Sequence, residues 1–229
     1  MRIEQIWRYP VKSLGGERLD SAEITEHGIL GDRAWGVRDD ETGLVLTGRR
    51  EPALLFLSAR YRPGGRPLIT CDDGGDLADD ESLSAWLGRR VTLAPASDGP
   101  GTFENPMNVD DETDWIQWQS QGSTFHDGHW TVSFVSTASL GDWDPRRFRA
   151  NLVLDGSGET ELRGEIRAGS AGLHTEGSIP RCVMVTRAQP GLPKDVSVLK
   201  RVIAEHDNLM AVGAVVTDPG TIRVGDEFG

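Results

Sequence analysis

The chain has little cysteine, no long apolar run and a deficit of positive charge. Its two cysteines, Cys71 and Cys182, stand far apart in 229 residues. They are too few for an all-cysteine iron–sulfur cluster or for a disulfide framework. No stretch approaches the roughly 18 apolar residues of a membrane-crossing helix, and the N-terminus lacks the basic-then-apolar pattern of a secretory leader. A cytoplasmic location without a membrane partner is therefore expected. The formal net charge of −12 disfavours nucleic acid and anionic membrane as partners, because both demand a basic footprint. Internal repeats, low-complexity tracts and a dinucleotide fingerprint are also missing. What remains is enough chain for one large domain or two small ones, each with a proper core.

In so acidic a chain, local clusters of cations are informative. The stretch from Ile179 to Thr186 sets Cys182 beside Arg181, after Pro180 and before an alternating Val183, Met184, Val185, Thr186. That alternation predicts a strand that begins at the thiol. A cation beside a thiol favours the thiolate, the form that attacks electrophiles and binds soft metals. A free cysteine can equally be a small buried hydrophobe, and the residues alone leave both readings open. Arg146, Arg147 and Arg149 crowd around Phe148, a density that suggests an anion site.

The remaining pattern is mostly that of short strands. Ile3 to Tyr9, Leu19 to Ile24, Ala34 to Arg38, Leu44 to Thr47, Leu54 to Tyr61 and Leu68 to Cys71 read as extended, which gives a barrel-like start. Cys71 reads as packing only. Asp80 can cap a helix that carries Leu83, Trp86 and Leu87 and ends at Gly88. Asp32 beside Arg33 reads equally as a surface ion pair or as part of a site. From Ser97 to Gly128 the pattern weakens and predicts a long crossing connection; its acidic run Asp110, Asp111, Glu112 and Asp114 reads as a solvated face. His126 and His129 are close enough to share a metal but lack a nearby third ligand. Thr131 to Val135 reads as a strand that ends in Ser136 and Thr137, whose hydroxyls can cap a helix or help hold a phosphate. A helix from about Asp195, with Leu199, Val202, Ile203 and His206 on one face, precedes strands at Leu209 to Val216 and at Ile222 and Val224.

Taken together, several ordered motifs resemble the MOSC family in its two-part form. Tyr9-Pro10-Val11-Lys12-Ser13, Gly31-Asp32-Arg33 and Arg49 to Pro52 resemble the N-terminal part; Ser136 to Leu140, Arg147 to Asn151, Arg181-Cys182 and Gly220 to Asp226 resemble the MOSC domain proper. The resemblance implies a mainly β, α+β fold, with a β-barrel-like domain over residues 1–96 and a MOSC β-barrel domain with a few short helices over residues 97–229. It further implies a molybdenum cofactor (molybdopterin) between the halves, with Cys182 as the protein ligand to the metal. Lys12, Ser13 and Arg33 would contact the cofactor from one half, and Ser136, Thr137, Arg149, Asn151 and Arg181 from the other. The chain departs from amidoxime-reducing relatives at Pro180, at Met210 to Gly213 and near Glu159 to Leu162. By this reading the protein is an oxo-transfer reductase of N-hydroxylated or N-oxide small molecules. With no electron-transfer module of its own, it would depend on a separate electron-transfer protein. Two alternatives stand beside it: a sulfur-handling protein that uses Cys182 as a persulfide carrier or in C–S cleavage, and a cofactor carrier without turnover.

Overall fold

A seven-stranded sheet carries the architecture. In the computed structural model its strands lie in the order Glu165–Ala168, Ala171–Pro180, Leu209–Asp218, Val132–Ser136, Leu152–Leu154, Ile3–Arg8 and Glu17–Leu19. Residues 1–108, 111–120 and 123–229 are described; Asp110 of the acidic run lies outside the described residues, whereas Asp114 is exposed. Both ends of the chain enter shared sheets. Ile3–Arg8 pairs antiparallel with Leu152–Leu154, and Gly220–Arg223 pairs with Ser21–Thr25.

Every residue of Val132–Ser136 is buried, because both faces of this part of the sheet are covered. Val132, Phe134, Leu152 and Leu154 point into one core with Ile3, Ile6, Val212 and Phe228, while Val135 and Val153 point into another with Leu140, Phe148, Val198 and Val202. Period-two alternation thus feeds two cores, and each large side chain so buried contributes about 1.5–3 kcal/mol. A third core, around Val11, Leu14, Leu54, Leu57, Ile69, Leu83 and Leu93, fills the N-terminal half. Val132–Ser136 and Leu152–Leu154 run parallel, so residues 137–151 form the crossover that parallel strands require. The arginine-rich segment belongs to that crossover.

The fold is mainly β, with three α-helices among the described residues: Asp80–Leu87, Thr137–Leu140 and Ser197–His206. Asp79, rather than Asp80, caps the first by accepting from Ser82 N, and Gly88 ends it in the left-handed conformation. Several local expectations give way. The weak region 97–128 contains an antiparallel hairpin, Thr102–Asn108 with Asp111–Gln119, not a plain connection. Phe103 is buried but Ile116 and Trp118 are largely exposed, so no clean apolar alternation marks it. Leu44 to Thr47 reduces to a single bridge, Val45 with Arg38. Leu54 to Tyr61 opens with a 3-10 turn, Pro52–Phe56, before the strand Leu57–Arg60. In the last helix Val198, Leu199 and Val202 are buried while Ile203 is exposed.

Candidate functional site

Loops from both halves of the chain and the end of the strand Ala171–Pro180 converge on a cavity of about 300 Å³. Its cationic lining is Lys12, Arg33, Arg49, Arg147, Arg149 and Arg181, against one lining carboxylate, Asp127. Cys182, Met184, Trp130 and Ile179 supply softer and apolar surface. Gathering this much positive charge in a protein of net charge −12 requires the backbone to be bent to the task. Ser13, Arg33 and Arg149 all adopt positive φ, at 70°, 48° and 55°. Such conformations cost about 1–3 kcal/mol each for residues other than glycine, and they persist where the surroundings enforce them.

Two networks hold the cations. In the first, Asp127 accepts from Lys12 Nζ through one oxygen and from Arg49, at 2.6 Å, through the other. Lys12 also donates to Phe125 O at 2.9 Å and lies over the Phe103 ring. Burial pushes the Lys12 ammonium down to about 8 despite Asp127. Burial pushes the Asp127 carboxyl up, but Arg49 and Lys12 outweigh it and hold it well below the usual carboxylate range. In the second network Asp32 is almost wholly buried, so the surface-pair reading is excluded. One Asp32 oxygen accepts from Tyr9 N at 2.7 Å; the other accepts from Arg33 and from Asn151 Nδ2 at 3.0 Å. Arg33 reaches on to Arg149 O at 2.8 Å, and the guanidinium groups of Arg33 and Arg149 both lie over the Tyr9 ring.

Arg149 and Arg181 are different. Arg149 donates to Leu14 O at 2.7 Å, and Arg181 to Met210 O at 2.6 Å and Phe148 O at 3.0 Å. Neither meets a carboxylate in these bonds, and Nη2 of each is buried without a hydrogen-bond partner among the described residues. Burial lowers both to about 10, which still leaves them charged at neutral pH. Buried charge left unpaired is expensive. Two such residues lining one cavity are most economically explained by an anion that completes them.

Cys182 is half-buried. It does not begin a strand: Ala171–Pro180 has already ended, and Cys182 is the extended residue ahead of the 3-10 turn Val183–Thr186. That turn seats Val185 in the core. The cation bonded to the sulfur is Arg49, whose Nε lies 3.3 Å from Sγ, and not the adjacent Arg181. Arg49 is fixed in turn by Asp127 and by Asn105 Oδ1 at 2.7 Å.

Among the residues singled out by sequence, Lys12, Ser13, Arg33, Arg149, Arg181 and Cys182 share the cavity lining. Asn151 stands behind it, bonded to Ser133, Trp7 O and Asp32. Ser136 and Thr137 are not among the lining residues; Ser136 Oγ caps the short helix by accepting from Ser139 N at 3.1 Å. Arg147 lines the cavity but spends its donors on the carbonyls of Val185, Arg187 and Pro193, and Arg146 pairs with Asp144. His126 and His129 part company, the first buried and 3.5 Å from Asp32, the second exposed and bonded to Glu176. Among the described residues no cluster of three or more His, Cys, Asp or Glu could hold a metal ion alone. Arg49, His126, Asp127 and Trp130 carry little cavity signal in sequence, since Arg49 lies in a turn, His126 and Asp127 in the stretch that reads as connection, and Trp130 between that stretch and the next strand. What signal there is lies in the charge of Arg49 in Gly48-Arg49-Arg50 and the compact His126-Asp127-Gly128 turn.

The chain is similar along its length to known proteins. It is 27% identical over 283 residues to mitochondrial amidoxime-reducing component 1 of Mus musculus, covering 98% of this chain and 80% of that protein. Over 216 residues it is 22% identical to molybdenum cofactor sulfurase 2 of Aedes aegypti, covering 84% of this chain. A shorter match, 40% identical over 63 residues, covers 26% of this chain and involves mitochondrial amidoxime reducing component 2 of Bos taurus. The chain spans only 27% of the Aedes protein and 18% of the bovine one. The crystal structure of the YUAD protein from Bacillus subtilis superposes with a TM-score of 0.50 at 13% identity, over 99% of this chain and 93% of that one, a likeness of fold. Residues 1–137 match the MOSC N-terminal beta barrel domain and residues 118–228 the MOSC domain. The same chain ends that are knitted into shared sheets are thus spanned by two overlapping family matches, and the protein belongs to the MOSC family.

Proposed function

We propose that the cavity holds a molybdenum cofactor and that the chain uses it to reduce N-hydroxylated or N-oxide small molecules, with electrons from a separate protein. The observation that carries this reading is the pair of buried, unpartnered guanidinium nitrogens on Arg149 and Arg181, in a cavity that also presents the Cys182 sulfur. Anionic phosphate suits the first feature and a soft, sulfur-rich metal centre the second. The name of the amidoxime-reducing relative supports the reduction, and that of the cofactor-sulfurase relative supports the cofactor.

In this reading Lys12, Ser13, Arg33, Arg149 and Arg181 hold the phosphate and pterin, and Cys182 binds the metal. Asn151 keeps Asp32, and through it Arg33, in place. Arg49 orients the cysteine sulfur by its Nε–H bond while Asp127 neutralises Arg49 and Lys12. Residues 1–96 and 97–229 form two functional halves, with Lys12, Arg33 and Arg49 contributed by one and Asp127, Arg149, Arg181 and Cys182 by the other. When bound, such a cofactor supplies two-electron oxygen-atom-transfer chemistry; an amidoxime takes up two electrons and two protons, and its N–O oxygen leaves as water.

Loaded protein given a strong dye reductant should convert an amidoxime to the amidine, and NADH alone should not. Retained cofactor without turnover of any N–O or S–O compound would favour a carrier. A persulfide on Cys182 in protein free of molybdenum would favour sulfur handling.

A further inference from the structure

The cavity that holds the cations is also lined by an aromatic ring, Trp130, and its position is set by two glycines. The Trp130 indole lies so close to Gly128 and Gly213 that a Cβ on either would stand 2.3 Å and 2.8 Å from ring or Cγ atoms. Contacts that short are not tolerated by any side chain, so both positions must lack one for the indole to lie where it does. The backbone beneath is equally fixed. Thr131 N donates to Ala214 O at 2.9 Å, and Thr131 O packs against Gly28, where a Cβ would approach to 2.2 Å. His129 meets the indole edge-on, with ring centroids 5.8 Å apart. Trp130 is only half-buried and lines the cavity together with Ile179, Pro180 and Met184.

We propose that Trp130 is the specificity-determining wall of this cavity and that it selects flat, ring-bearing ligands over small aliphatic ones. The inference rests on the proposed reductase reading for the identity of the reacting group, but the stacking itself does not. An indole presents a broad, weakly negative face whose natural partner is another flat ring, in offset or edge-to-face contact. With cations lining the same cavity, a ligand with a ring at one end and a hydrogen-bond acceptor at the other can meet both kinds of lining. A small aliphatic acceptor satisfies only one.

The test compares ring-bearing and aliphatic members of matched pairs: benzamidoxime with acetamidoxime, and the non-reducible benzamide with acetamide. Binding to cofactor-loaded protein is read by titration calorimetry, and KM by turnover. Wild type should favour the ring-bearing member by about tenfold, the scale of one aromatic contact plus its buried area. Trp130→Leu should abolish that preference and Trp130→Phe should keep most of it, with melting temperature and molybdenum content unchanged in both. Gly213→Ala, which pushes a methyl group into the indole, should mimic Trp130→Leu if it folds. An unchanged ratio in Trp130→Leu overturns the proposal, as does wild-type protein that does not favour the ring-bearing member. Loss of molybdenum or pterin in Trp130→Leu also overturns it, because the wall would then belong to the cofactor. The benzamide pair reads stacking without turnover, so a failed reductase reading and a failed ring preference give different results.

Discussion

Acidification from pH 6.5 to 4 should destabilise the fold, and His126 should account for much of the loss. The His126 imidazole is 7% exposed, and Nε2 has no hydrogen-bond partner among the described residues, its nearest carboxylate oxygen being Asp32 Oδ2 at 3.5 Å. Burial above all, then the charge of Arg33 and more weakly that of Lys12, pushes it down to about 4 from an ordinary 6.5; Asp32 and Asp127 oppose this without prevailing. The folded state therefore keeps the ring neutral in a range where the unfolded chain takes up a proton. Between pH 4 and 6.5 the unfolded state binds more protons, so stability rises with pH across that window and is lost as pH falls through it. The gap from about 4 to 6.5 corresponds to ~3.5 kcal/mol at about 1.4 kcal/mol per pH unit, an upper figure that relaxation and water entry reduce to about 2 kcal/mol. Urea unfolding at pH 7, 6, 5 and 4.5 on wild type and His126→Gln measures it. Wild type should lose about 2 kcal/mol more than the variant between pH 7 and 4.5. Parallel curves for the two proteins would refute the reasoning. Asp127, whose carboxyl is held well below the usual range, adds a loss common to both proteins, and it falls mainly below pH 4.

Cys182→Ala should abolish the chemistry while costing only about 1–2 kcal/mol in stability, since the residue is half-buried at a cavity; Cys71→Ala, at the edge of the N-terminal core, should leave activity unchanged. Arg33 and Arg149 should separate. Arg33→Ala strips the buried Asp32 of its cation and should cost about 3–5 kcal/mol in urea unfolding. Arg149→Gln, whose charge meets no carboxylate, should lower cofactor retention by about 1.5–3 kcal/mol, with a much smaller effect on the melt. Ala211 sits at φ 69° in the buried sheet. Ala211→Gly relieves a left-handed penalty of about 1–2 kcal/mol, but it adds a glycine entropy cost of about 0.5–1 and loses a fully buried methyl worth about 0.8 kcal/mol, so a net change within about 0.5 kcal/mol of zero is expected in the same assay.

Much of the sheet was legible because alternation and contiguous apolar runs follow directly from burial on one face or both: Ile3–Arg8, Val132–Ser136 and Leu209–Asp218 all stood out. The hairpin Thr102–Asn108 with Asp111–Gln119 did not, because its second strand is mostly exposed where described and only Phe103 of the first is buried, which leaves no apolar period. Cys182 and its neighbours misled for a related reason. Val183, Met184 and Val185 alternate like a strand, yet the chain turns there and buries Val185 and Thr186. For the site, charge against an acidic background found Arg149 and Arg181, and the resemblance added Lys12, Ser13 and Arg33. Neither source could show that Arg49, distant in sequence, is the cation on the Cys182 sulfur. Nor could they show that Ser136 is spent on a helix cap, since both facts are consequences of how the loops close on the sheet.

The most direct test of the proposed cofactor site is the molybdenum and pterin content of the protein purified from a host that makes the cofactor. Wild type is expected to carry close to one equivalent of each, Arg149→Gln much less of both, and Cys182→Ala to lose metal more than pterin. Wild-type protein that emerges from such a host without molybdenum or pterin, although folded, would contradict the assignment of this cavity.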